Sequence, residues 1–139
     1  ARRMLQEEVL EVQGMETRVS YSYLDMGSIS NLFDGDDLSL VRSLEANPLQ
    51  VNLEWDTPRH IENILVRIGG ATTTLSLEGY NASGDSIFDK TYEIAQDPNP
   101  RTITVELPGR LSLNRLEIDV KNTYDSEPSH VHLWEITLQ

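Results

Sequence analysis

The fold this sequence predicts is an antiparallel β-sandwich or jelly roll, and three observations predict it. Apolar and polar residues alternate with period two in stretch after stretch, as half-buried strands require. Gly, Pro, Asn and Asp break the alternation at roughly 10–15-residue spacing, which suits short strands joined by turns. No β-α-β rhythm, internal repeat or low-complexity tract occurs. With 139 residues the chain has room for one domain with a core of its own.

Taken in order, residues 1–15 differ from the rest. Leu5, Val9 and Val12 fall at helical spacing among Glu7, Glu8 and Glu11, and Gly14 is placed to stop a helix. A short N-terminal helix or linker is therefore expected over residues 1–15, with the sandwich over 16–139. Strands follow. Val19, Tyr21 and Tyr23 alternate with serines, then Val51, Leu53 and Trp55 with Asn52 and Glu54. Ile64, Val66 and Ile68 run to Gly69-Gly70. Leu75 and Leu77 come next, then Phe88, Tyr92 and Ile94 after the turn at 81–85. Ile103, Val105 and Leu107 run to Pro108-Gly109, Leu116, Ile118 and Val120 follow, and the last strand is Val131 to Leu138. That makes about eight strands. The expected core is Val51, Leu53, Ile64, Val66, Ile68, Ile103, Val105, Leu116, Ile118 and Ile136.

Charge narrows the function. Eleven Lys and Arg against 23 Asp and Glu leave a formal net charge of −12, which repels nucleic-acid backbones and anionic lipid and suits a cation. No apolar run is long enough for a membrane-spanning helix. The absence of cysteine removes disulfides and thiolate chemistry together. Ala1 is not a start methionine, so the chain reads as a module from a longer protein.

The densest cluster of chemistry is Asn31-Leu32-Phe33-Asp34-Gly35-Asp36-Asp37-Leu38-Ser39. Clustered carboxylates repel unless a cation or water screens them, and the glycine permits a turn that aims several oxygens at one centre. Calcium takes such hard oxygen donors; the bland alternative is a solvated Asp-Gly turn.

Continued through Leu40-Val41-Arg42-Ser43, this stretch resembles a motif of discoidin-like (coagulation factor 5/8 type C) domains, which include the family 32 carbohydrate-binding modules. Pro58-Arg59-His60-Ile61-Glu62-Asn63-Ile64 is similar to their step into a core strand, and His132-Leu133-Trp134-Glu135-Ile136 to their closing strand. The likeness covers about residues 16–139 in order, and it implies a galactose-binding-like jelly-roll sandwich. In calcium-bearing members one structural ion links the early loop to the last strand. By position, the resemblance implies calcium held by Asn31, Asp34, Asp36 and Ser39 of the loop and by Trp134 and Glu135 of the strand. Ser39 replaces the usual threonine and Val41 the usual tryptophan.

Sugar binding needs an aromatic face and planar polar side chains. The family places these on loops, where Arg42, Glu45, Asn47, Arg67, Asn122, Tyr124 and His130 are candidates, and residues 121–130 are the richest stretch. For each of them an ordinary surface role is the competing reading. His130 and His132, spaced for one face of a strand, are also a weak zinc pair with Glu127, although backbone-bonded histidines account for them better.

No nucleophile–base constellation, phosphate loop or dinucleotide fingerprint appears, so no enzyme activity is expected. The expectation is a non-catalytic module that binds a glycan or cell-surface ligand, attached to other domains of a larger extracytoplasmic or secreted protein. The segment from Glu127 to Ile136 also bears a looser resemblance to the C-terminal domains of bacterial protein-mannosyltransferase-type membrane glycosyltransferases. A purely structural or protein-interaction sandwich is the alternative function. A C2-like calcium sandwich, with Asp34, Asp36 and Asp125 in its loops, is the alternative fold.

Overall fold

The computed structural model describes residues 5–36, 38–44, 48–123 and 130–139. Among these described residues nine strands succeed one another: β1 Gln6–Val12, β2 Met15–Tyr21, β3 Leu24–Met26, β4 Val41–Ser43, β5 Leu49–Gly70, β6 Thr73–Tyr80, β7 Ser86–Ile94, β8 Asp97–Asn122 and β9 His132–Leu138. A short 3-10 segment, Ile29–Phe33, lies between β3 and β4. Every pairing is antiparallel.

β5 and β8 run side by side along nearly their whole length and build both layers of the sandwich. Residues 49–54 of β5 pair with residues 115–120 of β8, with β2 and β1 on one side and β6 and β7 on the other. Residues 63–70 of β5 pair with residues 97–106 of β8 and with β9, which carries β4 and β3. Register shifts between Glu54 and Arg59, and again between Ile61 and Asn63, separate these two halves. Bulges bend and twist a strand pair, so the two long strands fold over from one layer into the other. The result is the predicted jelly-roll sandwich.

Alternation places the core between the layers. Val51, Leu53, Leu116 and Ile118 face in from one side and Ile64, Val66, Ile68, Val105 and Ile136 from the other, all essentially inaccessible. Each such side chain contributes ~1.5–3 kcal/mol. Ile103 is the one predicted core residue that is only partly buried; it stands on the stretch of β8 that forms the edge of its layer. Val41, at the position where the family pattern has tryptophan, is fully buried on β4.

The N-terminal helix is not formed. Residues 6–12 are strand β1 instead, paired with β2 from Gln6↔Tyr21 to Val12↔Met15. The connecting residues Gln13 and Gly14 both have positive φ, 42° and 83°, as the tightest hairpin turn requires. Val12 reaches the core, whereas Val9 is 60% exposed, so the helically spaced residues never share a buried face. The hairpin is tied down at its tip: the Gln13 side-chain oxygen accepts from the Leu138 N–H at 3.1 Å, and Arg59 Nη1 donates to the Val12 carbonyl at 2.5 Å. Among the described residues β1, β3 and β4 are strands beyond the eight expected, while β5 and β8 each join two expected strands into one, which gives nine.

Candidate functional site

The acidic loop is built on the 3-10 segment. Ile29 and Leu32 are buried and pin it to the core. The Ser28 N–H donates to Asn31 Oδ1 at 2.7 Å, which fixes the turn before the aspartates. Asp34 then accepts from the Asp36 N–H at 2.9 Å and from Ser39 Oγ at 3.0 Å. The Asp36 N–H is the largest cause that holds the Asp34 carboxyl below its usual range; burial opposes it, and the Ser39 hydroxyl, the Asn31 amide and the neighbouring Glu135 add smaller lowering effects. Glu135, almost fully buried on β9, accepts from the Gly35 N–H at 3.1 Å.

These contacts gather several oxygens around the Ser39 hydroxyl. Ser39 Oγ lies 3.0–3.4 Å from four oxygens: the Asn31 and Asp36 carbonyls and both Asp34 carboxylate oxygens. One hydroxyl hydrogen cannot serve four acceptors. The Glu135 carboxylate adjoins the same loop. Trp134 is the extra residue where the β5–β9 register shifts between Arg67↔Glu135 and Ile68↔Leu133, so its backbone stands outside that ladder. The residues fit a hard cation in donor type. Among the described residues no three His, Asp or Glu side chains gather as a metal site, so carbonyls and the hydroxyl would supply much of the coordination. Asp37, like Asp125 of the C2-like alternative, lies outside the described residues.

A second cluster sits on β3, β4 and the approach to β9. Arg42 forms a two-pronged pair with Asp25, Nε to Oδ1 at 2.7 Å and Nη2 to Oδ2 at 2.9 Å. Arg42 is the main cause that holds the Asp25 carboxyl low, and Asp25 in turn raises the guanidinium. Beside them His130 Nδ1 is 2.8 Å from the Ser43 carbonyl. A carbonyl only accepts, so Nδ1 carries a hydrogen there. Asn122 is buried and donates from Nδ2 to the His130 carbonyl at 2.8 Å, bracing the start of β9. Tyr23 and Leu44, 45% and 46% exposed, are joined by a bond from the Leu44 N–H to the Tyr23 carbonyl. Strand alternation puts Tyr23, Asp25, Arg42 and Leu44 on one outer face.

The structure thus brings Arg42, Asn122 and His130 together. It leaves Arg67 two strands away on β5. Tyr124, Glu45, Asn47 and Glu127 lie outside the described residues. His132 stacks on Trp134, centroids 6.4 Å apart, and burial, then Arg42 and His130, lower its pKa. Tyr23 and Asp25 are the residues that the sequence reading passed over, since Tyr23 looked like one more strand residue. No local signal separated them, because the sequence continues the period-two run from Val19 through Tyr21 to Tyr23 and only the structure ends β2 at Tyr21. A surface hollow lies elsewhere, between Val9, Met15, Arg18, Glu54 and Asp56. Its arginine is already paired with Glu54 and Asp56 at 3.1 and 2.6 Å.

At the level of sequence, no protein-family model and no curated protein matches the chain. Solved structures do. The chain superposes on SpGH29 with a TM-score of 0.69 at 15% identity, covering 94% of itself and 27% of that chain. It therefore spans about a quarter of this larger structure. It matches the family 32 carbohydrate-binding module of C. perfringens NanJ, solved with galactose, with a TM-score of 0.64 at 13% identity over 96% of itself and 98% of the module. It matches the lectin domain of lectinolysin, solved with Lewis B antigen, with a TM-score of 0.65 at 10% identity over 87% and 90%. The looser resemblance to glycosyltransferase domains gains no support from these matches. The galactose-binding-like jelly-roll fold of carbohydrate-binding modules and discoidin-like lectin domains is the fold of this chain.

Proposed function

We propose that this domain is a non-catalytic carbohydrate-binding module that recognises a glycan through the cluster around Arg42. One observation carries the reading: the Asp25 carboxylate holds the Arg42 guanidinium in a fixed two-pronged geometry on the face that also carries the exposed Tyr23, with His130 close by. A preset guanidinium offers planar donors to sugar hydroxyls with little ordering cost, and a tyrosine face suits ring C–H groups. Asn122 acts as a brace. The neighbours that share the fold support the ligand class, since one was solved with galactose and another with a Lewis antigen. As part of a larger protein, the module would position its neighbours at a glycan surface outside the cytoplasm. The rival is a purely structural or protein-interaction role.

We further propose a calcium ion between the Asp34 loop and β9, held by Asn31, Asp34, Asp36, Ser39, Trp134 and Glu135. What supports it is the set of four oxygens around Ser39 Oγ with the Glu135 carboxylate alongside. Its work is structural, tying the early loop to the closing strand.

The decisive experiment is a glycan array with the 139-residue chain, followed by titration of each hit. A shallow site gives dissociation constants near ~0.1–1 mM. Arg42→Ala and Tyr23→Ala should each weaken binding about tenfold, the loss of one or two good polar or stacking contacts. A flat response across a broad panel would favour the structural role.

A further inference from the structure

The outer face that carries Arg42 continues across β9 to Trp134 and Arg67, and Arg67 is unlike the other partly buried arginines among the described residues, Arg42, Arg59, Arg101 and Arg115. With 23 carboxylates against 11 basic residues, a guanidinium in this protein finds an anionic partner easily. Arg18, Arg42, Arg101 and Arg115 each do, and Arg59 donates to backbone carbonyls. Arg67 has no ion pair among the described residues, although Glu135 is its cross-strand partner on β9, because that carboxylate turns to the Gly35 N–H. Its one hydrogen bond there runs from Nη1 to Thr102 Oγ1 at 3.5 Å, and its Nε is enclosed with no acceptor. The enclosed Nε is beyond the reach of a ligand, so an acceptor arriving from outside meets the two Nη groups, whose one bond is that long contact to Thr102.

A flat aromatic surface lies next to it. Arg67 and Gly69 are two residues apart on β5, so both face outward. Trp134 reaches across to Gly69, where a Cβ would sit 2.9 Å from Pro100 Cα and 3.3 Å from Trp134 Cζ3. Glycine is what lets the indole lie so close to the backbone. His132 extends the surface, its ring tilted 30° from the indole. Trp134, His132 and Arg67 are all partly exposed.

We propose that Arg67 and Trp134 form a subsite for an acidic sugar unit of a glycan chain. The guanidinium fork pairs with the carboxylate of a uronate, while the indole face meets the ring C–H groups. A bare carboxylate, as on an acidic peptide, would leave the aromatic surface unused. By strand spacing and rise, Arg67 and Arg42 are ~14 Å apart along the face, so one oligosaccharide can reach both. The subsite extends the proposed glycan site and shares with it only the class of ligand.

The test is titration of the chain with digalacturonate, with its neutral galactose counterpart and with oligoglutamate. Digalacturonate should bind, more weakly as salt is raised. Arg67→Gln should cost about tenfold or more, the value of a charge-assisted two-pronged contact. Arg67→Lys should recover only part of that loss, and Lys90→Gln, on β7 of the other layer, should leave digalacturonate binding unchanged. Thermal melts of each variant establish that it is folded. Absence of digalacturonate binding, equal binding by folded Arg67→Gln, or equally tight binding of oligoglutamate would overturn the proposal. Neutral glycans failing everywhere while digalacturonate depends on Arg67 would sink the Arg42 site alone. Neutral binding lost in Arg42→Gln, with digalacturonate indifferent to Arg67, would sink this subsite alone.

Discussion

The backbone N–H of Gly35 donates to Glu135 Oε2 at 3.1 Å, joining the early loop to the last strand across 100 residues of sequence. Asp34 lies at the same junction, bonded to the Asp36 N–H and to Ser39 and adjoining Glu135. Two carboxylates at close range repel unless something positive stands between them, and this is where the proposed cation has its consequence.

If calcium occupies this junction, a thermal melt in millimolar calcium should lie ~5–10 °C above one in chelator. Saturation at a hundred times the dissociation constant adds ~2.7 kcal/mol to a domain of this size. Asp34→Asn and Glu135→Gln should each erase the calcium-dependent rise, whereas Asp97→Asn, remote from the loop, should keep it. Superimposable curves for the unaltered chain would remove calcium from the reading.

Burial predicts a sharp contrast between two apolar residues. Leu53→Ala empties a fully enclosed site on β5 and should cost ~2–5 kcal/mol. Val9→Ala, at 60% exposure on β1, should stay within about 0.5 kcal/mol. Chemical denaturation measures both. A large loss at Val9 would mean that β1 packs its apolar residues as the helix reading supposed.

Trp55 Nε1 donates to Thr17 Oγ1 at 2.7 Å, and both residues are buried. Thr17→Val keeps the shape but leaves the indole N–H without its acceptor. An expected loss of ~1–3 kcal/mol follows, read from the denaturant midpoint at unchanged slope. Thr17→Ser, which keeps the hydroxyl, should lose less.

The hairpin turn gives a test of backbone conformation. A Cβ at Gly14 meets nothing within 4 Å, so only φ, at +83°, resists a side chain there. Gly14→Ala should therefore cost ~1–2 kcal/mol, the penalty of a left-handed L-residue, with no repacking elsewhere. A neutral result would show that β1 detaches at little cost.

Stability should fall in two separate windows as pH is lowered. His132 is held below its usual 6.5 by burial first, then by Arg42 and His130, with Asp25 opposing. The unfolded chain thus takes up a proton where the folded one resists it. Stability is complete above 6.5 and declines as pH falls through the lowered folded value. Asp25 and Asp34, both held low, act in the same direction, but only below their usual 3.8. Melts across pH should show His132→Gln losing the first decline and keeping the second.

The sequence by itself determined the layered fold. Period-two alternation is a local property, because each residue's face follows from its neighbours, and so Val51, Leu53, Ile64, Val66, Leu116 and Ile118 were all legible as core. It also marked the Asp34 loop and Arg42, whose residue types are unusual enough to stand out. Three things only the tertiary structure decided. Residues 6–12 became a strand because β2 supplied backbone partners, whereas helical spacing among exposed residues has no face to bury. Tyr23 and Asp25 joined Arg42 because pairing between β3 and β4 set them on one face. Arg67 was separated from that cluster and set beside Trp134 because β9 lies between β4 and β5 and carries a bulge at that tryptophan. Such neighbours depend on contacts far apart in the chain, and no local period records them.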